Sequence, residues 1–583
     1  MIKINGEQNN SQFKIEEIEI NPDRKKFENK LRRMNSKEDI SHYFDTINET
    51  KILGWENKLF ESKLPSRDFS SITDADIINE EISDNKTMRI MQGDIERTRV
   101  QESIYMPSFK DYLYQILIYY IKKNNITYKQ GLNEIGGPFI LLKYKLKLSF
   151  TKIYSLFTCF IDKFLTNYFS EKDFFSLESS FALINILLKY HDIELFRKFE
   201  FALINPELYA TSWLLTLFAN KCELNIIYYL WDKFILFDDV LFPFFFIVAF
   251  LIINREKFFA KDYSIVLTQL SQLNINTIKE VNDIIDLANN LRNKTPMSFY
   301  MLANKLEIFN YNSPNLQKLF EQMKPNQFMA MPMFTSDIFF ISYKNGINCV
   351  DVNCENFRNV KNNINSSECK YCRNREIQKK LSFIIIDIRI FEKELLENEP
   401  NNIKNDKSLS DLFPGFLPKT IKITSEQLNS EDYPKNILNE YKNEKDKYHF
   451  IIITSDTKNY FEYENKFYKF VKKKQSIKGL TIKRLKELDK EKVEEYFDLN
   501  ENKKEYYLWK EFDNFKKLIE EMNLQNFKYV SFSFGGYNDI HSFAMEHKID
   551  LLEHGKECIL CKVKENMKKK KSFSDVLMFW KGS

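Results

Sequence analysis

Two short segments of the chain carry residue types whose spacing suits joint chemistry. Met91–Arg97 reads MQGDIER, an apolar-x-x-Asp-x-x-Arg pattern. Asp94 and Arg97 stand three residues apart, one turn of a helix, so the carboxylate can hold the guanidinium in a bidentate pair. Thirty-one residues beyond Arg97 comes Tyr128–Gly131, YKQG, which continues into LNEIGG. Taken singly, an Arg beside acidic residues is a solvated helix face, and a YxQG turn is a helix boundary. Gly93 weakens a helix by about 1 kcal/mol, which points to a bend or a close approach. The chain has 13 glycines, and Gly93, Gly131, Gly136 and Gly137 all fall in these two segments, as special backbone geometry would require.

A second chemistry is written in the cysteines. Glu368–Cys372 reads ECKYC and Glu557–Cys561 reads ECILC. Two Cys-x-x-Cys knuckles of matching form make a tetrahedral zinc site with Cys369, Cys372, Cys558 and Cys561 as ligands, a closed shell and therefore structural. A local grouping of Cys349, Cys354, Cys369 and Cys372 competes with it, as do plain reduced thiols. His554, four residues before Cys558, is a substitute ligand or a surface residue. Cys159 and Cys222 sit in apolar helical runs and belong to a core.

The elements that position these residues fall into unlike halves. The 583 residues are 43% hydrophobic, enough for two to four units with large cores. A net charge of +4 from 86 basic and 82 acidic residues gives no case for nucleic acid. The N-terminal MIKINGEQNN lacks an apolar segment, so no secretory leader is expected. The apolar run Val240–Asn254 is too short for the roughly 18 residues of a membrane span and reads as a buried helix. Residues 1–50 read as a flexible arm. From about Ile52 to Phe309, apolar residues recur at helical spacing, as in Phe109–Ile121 and Phe181–Tyr190. Prolines and cysteines then mark a linker over 316–380. Ser382–Ile388, Phe450–Thr454 and Tyr529–Phe534 are β-branched or aromatic runs, with a helix expected over Tyr506–Met522, a pattern that implies a parallel α/β sheet over 381–562. Residues 472–504 form a charged insertion, and 563–583 a basic tail.

The helical half resembles the TBC family of Rab GTPase-activating proteins, whose signature motifs have the forms IxxDxxR and YxQG. Tyr190–Leu195, Pro206–Phe218 and Trp231–Asp232 follow in the family's order. The resemblance covers about 260 residues and implies an all-α TBC domain over 51–315. It implies Arg97 as an arginine finger and Gln130 as a glutamine finger acting on a Rab partner, with Asp94, Tyr128 and Gly131 supporting them. GTP and magnesium would belong to the partner, and the chain would need no cofactor of its own. An arginine delivered in trans stabilises the charge on the transferred phosphoryl group and is worth about 10³–10⁵ in rate.

SFIIIDIR at Ser382–Arg389 and YVSFSFGGYNDIH at Tyr529–His541 resemble the first and last strands of rhodanese domains. A helical TBC domain followed by a rhodanese-like parallel sheet, clamped by zinc, is the fold expected. The loop after Phe450–Ile453 reads Thr454–Thr457 and has no Cys, so no sulfur transfer is expected. The order of the two units resembles the branch that tethers vesicles between endosomes and the trans-Golgi. That branch implies golgin or coat-type trafficking partners and peripheral residence on Golgi or endosomal membranes. It also implies an alternative role as a catalytically silent adaptor.

Overall fold

The computed structural model describes residues 43–565 apart from several stretches, the longest being 355–380, 390–413 and 458–502. The arm up to residue 42, most of the charged insertion, most of the basic tail and the knuckle Cys369–Cys372 lie outside the described residues. From Tyr43 to Lys305 the regular elements are helices. Those that frame the site are α1 (Asn85–Arg97), α2 (Phe109–Lys123), α3 (Leu132–Leu146), α4 (Phe150–Phe164), α5 (Phe175–His191), α6 (Glu207–Thr216), α7 (Leu224–Phe237), α8 (Phe242–Ile253) and α9 (Ile278–Lys294).

Helix α8, FPFFFIVAFLII, is buried from Phe242 to Leu251 and packs against α5 and α9. It is the buried helix expected from the apolar run. Among the described residues no helix is long and apolar enough to cross a membrane. The helical core begins earlier than the sequence suggested. Tyr43 and Ile47 are buried, and the Tyr43 hydroxyl donates to Asp232 Oδ2 at 2.7 Å. Trp55 Nε1 donates to the other oxygen of Asp232 at 2.7 Å. Residues 43–50, read as the end of a flexible arm, therefore pack on α7 through a buried carboxylate. That carboxylate lies 189 residues away, so a local reading of the sequence does not find it.

The expectation of a bend at Gly93 is corrected. Helix α1 runs unbroken through it, and a Cβ added there would meet nothing within 4 Å. The tight glycines are in α3. A Cβ on Gly136 would lie 2.7 Å from Leu113 Cδ1 of α2, and one on Gly137 would lie 3.1 Å from Thr98 Cγ2 just past α1. These two residues let α3 close on both neighbours.

The second half is a five-stranded sheet, all parallel, in the order β1–β6–β5–β2–β4. Its strands are β1 (Met331–Met333), β2 (Ser382–Asp387), β4 (Thr420–Lys422), β5 (Tyr448–Ile453) and β6 (Val530–Ser533), while β3 (Pro414–Phe416) and β7 (Leu552–His554) form a separate antiparallel pair. The three runs singled out in the sequence are β2, β5 and β6, buried almost throughout because parallel strands are covered on both faces. Strand β1 comes from the stretch read as a linker. It is three residues long and contains Pro332, which fits an edge position, and neither its length nor its composition announces it. Helix α10 (Thr335–Ser342) follows it, α11 (Lys503–Leu524) precedes β6, and α12 (Gly536–Glu546) follows β6. Phe339 of α10 stacks on Phe543 of α12 at 5.1 Å.

Helices and sheet meet along a buried seam. Tyr529 N–H donates to the Tyr190 carbonyl at 2.8 Å. The Tyr190 ring stands edge-on to His449 of β5 and to Tyr529. His191 bonds Thr295 Oγ1 and His449 bonds Ser531 Oγ, each at 2.7 Å.

Two tests follow from this packing. Gly93→Ala raises stability by about 1 kcal/mol, because the helix gains the better former with no steric cost, read as an upward shift of the thermal midpoint. Burial pushes the pKa values of His191 and His449 down to about 3. The unfolded chain takes up these protons near pH 6.5, so the full stability is present above that value and is lost as pH falls toward 3. Each histidine contributes a loss of about 2 kcal/mol by pH 5, seen as a falling unfolding midpoint whose slope flattens in His449→Gln.

Candidate functional site

The end of α1 and the loop before α3 are joined by a closed ring of hydrogen bonds. Arg97 Nη2 donates to Asp94 Oδ1 at 2.7 Å. The Tyr128 hydroxyl reaches Asp94 Oδ2 at 3.0 Å and Asn133 Oδ1 at 3.1 Å. Asn133 Nδ2 donates to Thr98 Oγ1 at 2.9 Å, and Thr98 Oγ1 donates to the Asp94 carbonyl at 2.8 Å. Asp94, Thr98 and Asn133 are buried. Burial and the Asp94 carboxylate both push the Tyr128 pKa upward, so this hydroxyl stays a donor.

The ring is built from both sequence segments. Helix α1 supplies Asp94, and Thr98 follows in the turn after it. The residue after Tyr128–Gly131 that matters is Asn133, on the first turn of α3. Its Oδ1 also accepts from Gly131 N–H at 3.0 Å. Gly131 takes φ +111°, and a Cβ there would stand 3.5 Å from Leu215 Cβ, so a side chain is disfavoured by conformation more than by space. Gln130 and Arg97 both face solvent, the Arg97 side chain being 73% exposed. With its Arg97 end open to solvent, the ion pair adds little stability by charge attraction. What it does is aim the guanidinium. The structure thus brings Asp94, Arg97, Tyr128 and Gly131 into one network and leaves Gln130 projecting from its rim. The sequence reading missed Thr98 and Asn133. Asn133 lies inside LNEI and was in view as a motif residue without a role, whereas nothing in the local pattern marks Thr98.

The sheet places its own polar residues at the carboxyl ends of its strands. Arg389 binds Asp387 through Nε, at 2.9 Å to each oxygen, and through Nη2 at 2.6 Å, with both side chains buried. Arg389 Nη2 also donates to the Gly415 carbonyl at 3.1 Å, and its guanidinium lies 3.4 Å from the centre of the Tyr537 ring. The pair ties β2 to β3 and α12. The loop after β5 is already filled by protein. Ser455 N–H donates to the Glu511 carboxylate, and Thr454 Oγ1 and Thr457 Oγ1 are 2.9 Å apart. Gly536, at φ +64°, sits so close that a Cβ would come within 2.5 Å of the Ser455 carbonyl oxygen.

Of the four cysteines expected to hold zinc, Cys558 and Cys561 are described and lie together, with Cys369 and Cys372 outside the described residues. The partners beside Cys558 and Cys561 are His541 and His554. His554 was in view as a substitute ligand. His541 was not, because it lies 17 residues before Cys558 on a different element. Cys159 and Cys222 are buried in the helical core.

Residues 57–259 match the RabGAP-TBC family model, the Rab-GTPase-TBC domain. The helical region carries a TBC domain. Arg97, Gln130 and the whole hydrogen-bonded ring lie inside the matched span. The human TBC domain-containing protein kinase-like protein (Homo sapiens) is 28% identical over 149 residues, which is 26% of this chain and 16% of that relative. Its counterpart from Dictyostelium discoideum is 26% identical over 173 residues, again 16% of the relative's length. The chain therefore spans a minor part of the curated relatives it matches. The solved Ypt/Rab-GAP domain of Gyp1p aligns with 45% of this chain and 95% of its own, at 18% identity and a TM-score of 0.36.

The ring around the TBC-domain motifs has a measurable cost of removal. Asn133→Ala leaves the Gly131 N–H and Thr98 without their partner and costs about 1–3 kcal/mol, read as a lowered thermal midpoint. Gln130→Ala, at an exposed position, leaves that midpoint unchanged within about 0.5 kcal/mol.

Proposed function

We propose that the TBC domain accelerates GTP hydrolysis on a Rab-family GTPase, with Arg97 and Gln130 entering the partner's nucleotide site. The observation that carries this reading is the ring Asp94–Tyr128–Asn133–Thr98, which locks two distant sequence segments together while Arg97 projects into solvent. A residue that packs for stability alone has no need of such support. In the bound state the Arg97 guanidinium neutralises charge building on the γ-phosphoryl oxygens, and the Gln130 amide orients the attacking water. Magnesium and nucleotide belong to the partner. Asp94 keeps the guanidinium aimed before the encounter, so less side-chain entropy is lost on docking.

In the same reading the sheet is rhodanese-like and acts as a partner-binding surface rather than a catalyst. This is supported by the parallel strand order, by the Asp387–Arg389 pair at the end of β2, and by a loop after β5 that has no thiol and whose Ser455 N–H is committed to Glu511. Golgin or coat-type partners and peripheral placement on Golgi or endosomal membranes belong to this proposal and rest on the sequence resemblance.

Single-turnover GTP hydrolysis across a Rab panel tests the catalytic role. At least one Rab is accelerated, Arg97→Ala and Arg97→Lys lose about 10³-fold or more, and Gln130→Ala loses at least about tenfold. Tyr128→Phe, which keeps the aromatic side chain but removes the hydroxyl that links Asp94 to Asn133, loses about tenfold, or about 1.4 kcal/mol of transition-state stabilisation. A panel with no accelerated member, or an Arg97→Ala protein as active as wild type, would falsify the proposal. It would leave the catalytically silent adaptor as the working description.

A further inference from the structure

Beyond the sheet's last strand, four side chains from three short elements converge on one point. His541 stands on α12, His554 ends β7, and Cys558 and Cys561 form the knuckle that follows. Their ligand atoms all lie within 4.8 Å of one another. The two imidazole Nε2 atoms are 3.2 Å apart. Cys558 Sγ is 3.3 Å from His541 Nε2, and Cys561 Sγ is 3.5 Å from His541 Nε2 and 3.9 Å from His554 Nε2.

These separations are the edges of a tetrahedron of a particular size. With Zn–N of about 2.0–2.1 Å and Zn–S of about 2.3 Å, tetrahedral angles put N···N near about 3.3 Å and N···S near about 3.6 Å. The four observed edges scatter around those values. Hydrogen bonding alone is a poor account of the same geometry. Two ring nitrogens facing each other at 3.2 Å share one proton at most, and thiols are weak donors. A Cys–His nucleophilic dyad needs one imidazole, and a second imidazole nitrogen against the first serves no step in it. A cation satisfies all four atoms at once.

We propose that His541, His554, Cys558 and Cys561 bind a structural zinc ion or a cation of like softness. The donor set, two thiolates and two imidazoles, selects zinc over magnesium or calcium, which take oxygen ligands. Four protein ligands leave no open position, and Cys558 and His541 are 1% and 2% exposed, so the ion is structural. It fastens strand β7, the antiparallel partner of β3, and the closing knuckle to α12, the helix that carries Tyr537 onto Arg389. The proposal keeps half of the ligand set expected from the two Cys-x-x-Cys knuckles and replaces the other half with histidines. It stands independently of any GTPase activity.

Metal analysis and zinc-edge X-ray absorption on the full chain test it. One equivalent of zinc is expected after zinc reconstitution, with a shell of two sulfurs and two nitrogens. His541→Asn and Cys561→Ser each drop the occupancy below half, and Cys369→Ser/Cys372→Ser leaves it unchanged. Because absorption is read on wild type, misfolding of a variant does not blur the answer. Less than half an equivalent after reconstitution overturns the site, as does a four-sulfur shell or loss of metal in the Cys369/Cys372 double variant.

Discussion

Asp94 is 5% exposed, and both of its carboxylate oxygens and its carbonyl are used at once: Arg97 on one oxygen, Tyr128 on the other, Thr98 on the backbone. A buried carboxylate is tolerated only when its charge is met, and here the meeting groups come from two segments more than thirty residues apart. The consequence is directional. The helix end, the turn after it and the entry to α3 cannot shift independently without leaving a buried acceptor unmet. Gly136 and Gly137 make this possible by letting α3 approach closely enough for Asn133 to reach Thr98. The exposed guanidinium is the one member of the network whose far side is open to a partner.

Helical periodicity identified α2 and α5, and β-branched or aromatic runs identified β2, β5 and β6, because each of these signals is local and repeats over several residues. The contact between Asp94 and Arg97 was legible for the same reason, since a three-residue spacing on a helix fixes proximity, but it uses one carboxylate oxygen and not the bidentate pair expected, because Tyr128 takes the other. What could not be read is whatever closes over distance. Tyr43 looked like part of a flexible arm because its partner, Asp232, is on α7. Strand β1 was hidden in a linker because three residues carry no periodicity, and its pairing with β6 comes from tertiary context. Gly93 misled in the opposite sense: a glycine can mark a constraint, yet in α1 it faces open solvent.

At the cluster of His541, His554, Cys558 and Cys561 the same distinction separates the cysteines from the histidines. Cys-x-x-Cys is a local signature, and of its two copies the one at Cys558 and Cys561 lies in the cluster. His541 is recruited by the turn from β6 through Gly535 and Gly536 into α12, and no spacing rule connects it to the knuckle. The two sites also differ in what holds them. The TBC-domain ring depends on neutral and charged hydrogen bonds between helices already packed by apolar burial. The cluster at His541 lies where β3 and β7, only three residues each, have little apolar surface to bury.

The seam at Tyr190 joins the two halves in a way that domain boundaries drawn on the sequence do not convey. A backbone hydrogen bond from Tyr529 to the carbonyl of α5's penultimate residue, and aromatic edges from His449 and Tyr529, cover the end of that helix. The same helix packs on α8 at the centre of the TBC domain. A fragment ending at the last helix of the domain would therefore expose the rings of Tyr190 and His191 to water and strand an acceptor at the edge of its own core. The halves share one continuous buried core, so the end of α5 is finished by the sheet and not by the helical region alone.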